Sequence, residues 1–290
     1  MNSKNSIGII EISSKNIKCL IFKIGEDFSE TLFTSETPSD GINNGVIVNL
    51  TKASKAIRSC ISITEKKAQL SLKKINVITE QADFLCTKFS KHKKIDGSKI
   101  YKEDIEFLLK EAKKQLIHND KNQKIIHIFN HNYIVDGKTF IEEPIDIYAD
   151  SLSHEMTFVT IPKNNLKNIN QVFADCDIEV ERLISCTFAL GAQLLNDKEL
   201  KSGSALIDIG LNKISLGLFK NLALVNSMTL PIGINHISKD ISKVCSLDID
   251  ESEIIKNNID FSFENTKNIF DDKDYLKDTY FKSSNYRKIS

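Results

Sequence analysis

Arginine is nearly missing from this chain: within its 39 basic residues, only Arg58, Arg182 and Arg287 are arginines. Recognition of phosphates or bases by planar guanidinium forks is therefore not expected. A surplus of either charge is missing too, because 39 acidic residues balance the basic ones. That removes the electrostatic footprint of a nucleic-acid binder, so no nucleic-acid partner is expected. No two cysteines stand at Cys-x-x-Cys spacing; Cys19, Cys60, Cys86, Cys176, Cys186 and Cys245 lie far apart. Most sit within apolar patterns, which predicts buried free thiols in a reducing compartment rather than disulfides or zinc ligands. No apolar run approaches the ~18–20 residues that span a bilayer, and residues 1–6 lack the apolar core of a signal peptide. These absences predict a cytoplasmic protein. His127, His131 and His154 lack metal-ligand spacing. Ser13 and Ser14 have no His and Asp companions in sequence that would make either a nucleophile.

What is present is an ordinary globular composition, 41% hydrophobic and 27% charged over 290 residues. That length has room for about two domains and a sizeable core. Segments 7–13, 17–24 and 28–34 read as a three-strand meander. A turn-rich connection over 38–44 leads to a short strand at 45–48. A helix follows from Thr51, with Ala53, Ala56, Ile57, Cys60 and Ile61 on one face. Residues 73–79 return as a strand.

Residues 82–155 read as a separate α+β unit. It has a strand at 84–89 and a helix opened by Lys102, Glu103 and Asp104, whose apolar face is Ile105, Leu108, Leu109, Ala112 and Leu116. Strands follow at 124–129, 132–135 and 138–141. Beyond it a strand at 155–161, a helix at 163–175 capped by its own polar start, a strand at 178–184 and a helix at 188–195 alternate. That alternation predicts parallel pairing. Helices are expected over 233–245 and 250–257. From Asp260 onward periodicity fades.

Two strand–turn–strand elements carry the chemistry. In Ala205-Leu206-Ile207-Asp208-Ile209-Gly210, a buried strand ends in Asp-x-Gly and turns through Leu211, Asn212 and Lys213 into a second strand. Such a turn sets a carboxylate beside exposed amides, which suits a nucleotide phosphate and its metal ion. Glu11-Ile12-Ser13-Ser14-Lys15-Asn16 is a degraded counterpart near the N-terminus. The plainer reading of each is a strand end with a hairpin turn, its acid facing solvent.

In collinear order these segments resemble the FtsA family of actin-like cell-division proteins. Glu11 to Asn16 resembles the family's first phosphate hairpin, and Asp40-Gly41-Ile42-Asn43-Asn44-Gly45-Val46-Ile47-Val48 its Gly-basic-Gly turn. Residues 129–137, followed by Pro144, resemble the end of its inserted subdomain, called 1C. Residues 231–241 resemble its Pro-x-Gly-Gly helix start. The resemblance implies an α/β, actin-like (ribonuclease-H-like) two-domain fold with an inserted α+β subdomain of 1C type. Residues 1–81 and 156–196 would form the first subdomain, 82–155 the insertion and 197–290 an incomplete second domain.

It further implies a nucleotide site at Glu11, Ser13, Ser14, Lys15, Asn16, Asp208, Gly210, Leu211, Asn212, Lys213 and Gly233, for ATP with Mg²⁺ held near Asp208 and Glu11. The expected partners are FtsZ, further copies of the chain in filaments or dimers, and the inner membrane surface at the division site. The departures lie on the phosphate side. Ser13 to Asn16 replace a Gly-Thr pattern, Leu211 to Lys213 replace Gly-Gly-Thr, and Ile234 replaces a glycine. Side chains then stand where phosphate would press on bare backbone, and weak or absent nucleotide binding is expected. The chain stops before the family's adenosine-side Gly-Gly motif and its amphipathic membrane helix, so a fragment is expected. The alternatives are an active ATPase or sugar-kinase-like phosphotransferase, or a pilus-assembly adaptor of the same superfamily.

Overall fold

A computed structural model describes residues 6–24, 29–140 and 142–258. The expectations for the tail beyond Asp260 lie outside the described residues. The chain forms two compact units, one of residues 1–208 with 215–230 and one of residues 209–214 with the chain from Pro231.

The first unit opens with the expected meander: β1 (Ser6–Ile12), β2 (Asn16–Ile24) and β3 (Ser29–Pro38), paired antiparallel in sequence order. A two-stranded turn, β4 (Ile42–Asn43) with β5 (Val46–Ile47), leads to α1 (Leu50–Ala68). Asn49 caps α1, its side chain accepting from the Lys52 amide, and the helix ends at Gln69 in the left-handed region. Its predicted apolar stripe faces inward, with Ala53, Ile57, Cys60 and Ile61 fully buried. β6 (Lys74–Thr79) then lies parallel to β1.

The inserted sheet comprises β7 (Leu85–Lys99), β8 (Gln123–Val135), β9 (Lys138–Phe140) and β10 (Tyr148–Pro162), with α2 (Lys102–Asn119) between β7 and β8. Its order is β7-β10-β8-β9. Three expectations change here. The strand at 84–89 runs on to Lys99, because β7 is an edge strand whose outer positions hold lysines that read as loop. The strands expected at 124–129 and 132–135 are one strand, bent at two register shifts against β10. The strand expected at 155–161 is the second half of β10 and pairs antiparallel with β7 and β8.

Parallel pairing is instead carried by β1, β6 and β11 (Glu179–Ser185), in a sheet of order β11-β6-β1-β2-β3. Between β10 and β11 runs α3 (Lys163–Ala174). It starts behind Pro162 with no side-chain cap, against the expectation of a polar cap: proline at that position offers no acceptor side chain. After β11 come α4 (Cys186–Leu194) and a short α5 (Asp197–Ser202), the latter started by the reciprocal Asn196/Glu199 capping box. A further sheet follows in the order β12 (Ser204–Ile209), β13 (Ile214–Lys220), β14 (Ala223–Leu230). The largest core joins β1, β2, α1, β6 and α3 through residues such as Ile10, Ile21, Ile57, Val77 and Phe173.

The second unit holds the turn before Ile214, then α6 (Ile234–Cys245) and α7 (Ile249–Asn258). No helix among the described residues is long and apolar enough to cross a membrane.

Candidate functional site

Because β1, β6 and β11 run parallel, their C-terminal ends share one edge of the sheet, the side on which open α/β sheets meet ligands. Four short stretches meet there: Ser13–Asn16, the turn at Asn44–Gly45, Thr79–Gln81, and Ser185–Thr187. Thr79 and Gln81 both donate to the Gly45 carbonyl, Gln81 Nε2 at 2.6 Å, and Thr79 Oγ1 also donates to Ile12 O at 3.5 Å. Gly45 has φ of +77°, and a Cβ there would stand 2.2 Å from the Glu80 carbonyl oxygen. Only glycine fits this turn against the end of β6.

The first hairpin spends its polar groups on itself. Both the amide and the hydroxyl of Ser13 donate to Asn16 O, at 3.3 and 2.8 Å. The Ser14 hydroxyl accepts from the Asn44 amide at 2.7 Å and donates to Asn44 Oδ1 at 3.3 Å. The Asn16 side-chain amide bonds Glu36. Lys15 is exposed, while its carbonyl accepts from the Ser39 amide. Glu11 is half-buried and pairs across the ladder with Lys18.

Between this hairpin and α4 lies a residue that sequence reasoning missed. Glu80 is 3% exposed, and its Oε2 accepts from Ser185 Oγ at 2.9 Å, the Thr187 amide at 2.9 Å and Thr187 Oγ1 at 3.0 Å. Thr229 Oγ1 reaches Oε1 at 3.5 Å. Ser185 is the N-cap of α4 but makes no side-chain cap bond, so a carboxylate from the next strand caps the helix instead. The Ser185 amide donates to His127 Nε2 at 3.1 Å. Burial pushes the His127 pKa down to about 4, so near neutrality the ring is an uncharged acceptor. The available sequence signal was an acid, Glu80, directly after the apolar strand β6; nothing local pointed it at residues a hundred positions away.

The second hairpin's turn belongs to the second unit. There the Gly210 amide donates to Lys213 O, while Gly210 O and Leu211 O accept from the Ile234 and Asn235 amides at 3.0 and 2.8 Å. Asn235 Nδ2 donates to Asn212 Oδ1, and the Gly233 amide to His236 Nδ1. A Cβ on Gly233 would lie 2.5 Å from Gly210 O. The first amides of α6, the natural anion end of that helix, are thus taken by the hairpin's own carbonyls. The Asp208 side chain, half-buried near the end of β12, makes no hydrogen bond or ion pair among the described residues. No group of three or more His, Cys, Asp or Glu side chains that could hold a metal occurs among the described residues, so neither Asp208 nor Glu11 joins such a set. A triphosphate wants bare amides and turned-out hydroxyls. In these two turns the Ser13 and Gly210 amides and the Ser13 and Ser14 hydroxyls are already bonded within the chain.

A second concave surface runs beside the outer edge of β11. It has a volume of about 590 Å³ and is lined by Ile126, His127, Leu166, Val180, Arg182 and Phe188 among others.

Comparison with known proteins agrees with this architecture. A family profile described as "SHS2 domain inserted in FTSA" matches residues 84–160, and one described as "Cell division protein FtsA" matches 205–274. The first match coincides with the sheet β7-β10-β8-β9. Cell division protein FtsA of Agrobacterium fabrum is 23% identical over 269 residues, covering 88% of this chain and 60% of that protein. FtsA of Bacillus subtilis is 24% identical, covering 91% and 60%. FtsA of Buchnera aphidicola subsp. Schizaphis graminum is 29% identical, covering 75% and 52%. The chain thus spans no more than about 60% of these relatives. Among solved structures, the PilM-PilN type IV pilus biogenesis complex matches with a TM-score of 0.61 at 11% identity, covering 87% of this chain and 69% of that one. That likeness shows the fold alone.

Proposed function

From the premise that this chain is an FtsA-like protein with an actin-like fold, we propose that it is a cell-division adaptor. In this reading it binds FtsZ, self-associates in actin-like fashion, and helps organise the division ring at the cytoplasmic face of the membrane. The observation that carries the reading is the internal use of phosphate-side donors: the Ser13 and Ser14 hydroxyls and the Gly210 amide all bond within the chain. An ATPase or phosphotransferase depends on such groups meeting the transferred phosphate. An adaptor needs only the scaffold. ATP and Mg²⁺ are then dispensable ligands, with Asp208 and Glu11 as the carboxylates that would face the metal.

The test has two arms. Titration calorimetry with ATP and Mg²⁺ is expected to give no heat of binding at micromolar protein. Fluorescence anisotropy with a labelled FtsZ C-terminal peptide is expected to give saturable binding. Tight ATP binding that Asp208→Ala abolishes would return the enzyme reading, and absent peptide binding would remove the FtsZ assignment.

A pilus-assembly adaptor is the second reading. It is supported by the fold match to the PilM-PilN complex and by the groove beside β11, an unpaired strand edge with apolar lining that suits an extended partner segment. The two FtsA profile matches favour the division role.

A further inference from the structure

We propose that the outer edge of β7 is a docking surface for an extended acidic segment of a partner protein, which pairs with that edge as a further strand of the inserted sheet. The inference goes beyond the adaptor reading and does not depend on it.

Charge is concentrated here. A chain that is neutral overall places Lys88, Lys91, Lys93, Lys94 and Lys99 in β7, against Asp96 as the strand's one acid. Alternation along the strand divides these residues between two faces. Phe89, Lys91, Lys93 and Ile95 lie on the side of α2, where Phe89 and Ile95 join the packing beneath that helix. On that side the lysines are answered from within. Lys93 pairs with Asp104 and stands over the Phe107 ring. Lys114, with Lys91 adding to it, holds the Glu111 carboxyl below its ordinary range. Lys99 pairs with Asp146.

The opposite face is different. Lys88, Ser90, His92 and Lys94 are all exposed and stand beside Thr157, Glu155, Ser153 and Ser151 of β10. Glu155 accepts from Asn132, and His92 Nδ1 bonds the Ser153 hydroxyl. Lys88 and Lys94 make no ion pair among the described residues. At strand rise they stand about 20 Å apart on one face.

The backbone beside them is equally unanswered. Among the described residues β10 is the one strand that pairs with β7, so β7 is an edge. Its register against β10 is regular from Leu85 opposite Thr160 to Lys94 opposite Ser151, and it shifts only beyond Lys94. Folded proteins usually break so long an edge with a bulge, or charge it to keep strands away. Here lysine is the guard. It repels a second copy of β7 and, by the same charge, admits a strand that carries acids at every second position. A nucleic acid or a lipid surface would answer the two lysines and leave the backbone edge unmet. A polypeptide strand answers both.

The probe is a fluorescein-labelled peptide of alternating Glu and Thr, titrated with the full chain by fluorescence anisotropy. Saturable binding is expected, with slowed hydrogen exchange at β7 amides between Lys88 and Lys94. The same peptide with Lys for Glu should not bind. Neither should the Glu peptide with alternate backbone nitrogens methylated, which keeps the charge and removes the ladder. Lys88→Glu with Lys94→Glu should weaken binding by about tenfold or more. Both positions are exposed, so this double variant should melt with the parent.

Absence of saturable binding would overturn the proposal and leave the lysines as an edge guard alone. Equal binding of the methylated peptide would overturn it too, because charge without strand pairing would then suffice. So would vesicles rich in phosphatidylglycerol that bind through Lys88 and Lys94 where the peptide does not. Should the double Glu variant fail to fold, Lys88→Gln with Lys94→Gln decides: weaker peptide binding supports the proposal and equal binding removes it. None of these arms uses ATP or the FtsZ peptide, so failure here and failure of the adaptor reading are read separately.

Discussion

Glu80 and His154 are hidden from solvent to nearly the same degree, at 3% and 0% exposure, yet their surroundings treat them in opposite ways. Glu80 meets three close donors. His154 stacks on Tyr133 with centroids 4.4 Å apart and planes at 21°, and neither of its ring nitrogens has a hydrogen-bond partner among the described residues. The cause is position along the strand. Glu80 follows the end of β6, where the neighbouring α4 still has unspent amides. His154 sits in the middle of β10, paired on one side with Lys91 and on the other with Tyr133, where the backbone groups are already used in the ladders. A strand end can supply donors to a buried carboxyl group; a strand centre leaves an imidazole neutral.

The substitution with the largest expected effect attacks the strand-end region directly. Gly45→Ala puts a methyl 2.2 Å from the Glu80 carbonyl oxygen at a residue with φ of +77°. Strain and overpacking add here, so a loss of about 3 kcal/mol or more in urea unfolding is expected. A change under about 0.5 kcal/mol would mean that this turn is not held against β6 as described.

The strand-centre half of the comparison is tested by pH. Burial pushes the His154 pKa down to about 4, with His131 nearby adding to the effect. An unfolded histidine titrates near 6.5, so the native state releases this proton. Stability from the neutral ring is complete above about pH 6.5 and falls as pH drops towards 4, by about 3 kcal/mol in all. His154→Phe keeps the stack on Tyr133 and removes the titration. It should unfold at nearly the parent's urea midpoint at pH 7.5 and at a clearly higher one at pH 4.5. Parallel pH profiles for the two proteins would show that His154 is not the group responsible.

Gly233→Ala carries the comparison into the second unit, where backbone carbonyls, beside the Asn212–Asn235 side-chain bond, close the hairpin. The added Cβ would meet Gly210 O at 2.5 Å and the Leu211 carbonyl at 2.6 Å. A local loss of about 1–3 kcal/mol is expected. Hydrogen exchange should find faster amides at Ile234 and Asn235, the two that donate to that hairpin, with the core amides of α1 unchanged. Unchanged exchange at both positions would contradict the contact.

The sequence made some of this legible and hid the rest for physical reasons. α1 could be read because its apolar residues recur at helical spacing and are the ones buried. A helix over 233–245 was also expected, but nothing in the sequence told that Ile237 and Val244 would remain 52% and 64% exposed while Ser238 is buried. The full lengths of β7 and β10 were hidden by the many polar residues along their outer halves, and α5 by its shortness despite a readable capping box. At the candidate site, both hairpins were found by motif. The self-bonding of Ser13, Ser14 and Leu211, and the whole role of Glu80, depend on which strand ends become neighbours, and no local pattern encodes that.

The smallest effect expected is also the sharpest check on how the first hairpin is closed. The Ser14 hydroxyl both accepts from the Asn44 amide and donates to Asn44 Oδ1, so it joins the hairpin to the turn that carries Gly45. Ser14→Ala removes both bonds but leaves the Asn44 amide in a part-buried spot that water can reach. The loss should be about 1 kcal/mol, far below that of Gly45→Ala. Asn44→Ala keeps the amide bond to Ser14 and removes only the longer side-chain bond; but Asn44 has φ of +49°, where alanine is strained, so Asn44→Gly is the cleaner partner. If hydroxyl and side-chain amide work as one link, the double variant Ser14→Ala with Asn44→Gly should lose less than the sum of the two singles in urea unfolding. Simple additivity would mean that the Ser14 hydroxyl and the Asn44 side chain do not act as one link between the hairpin and the turn.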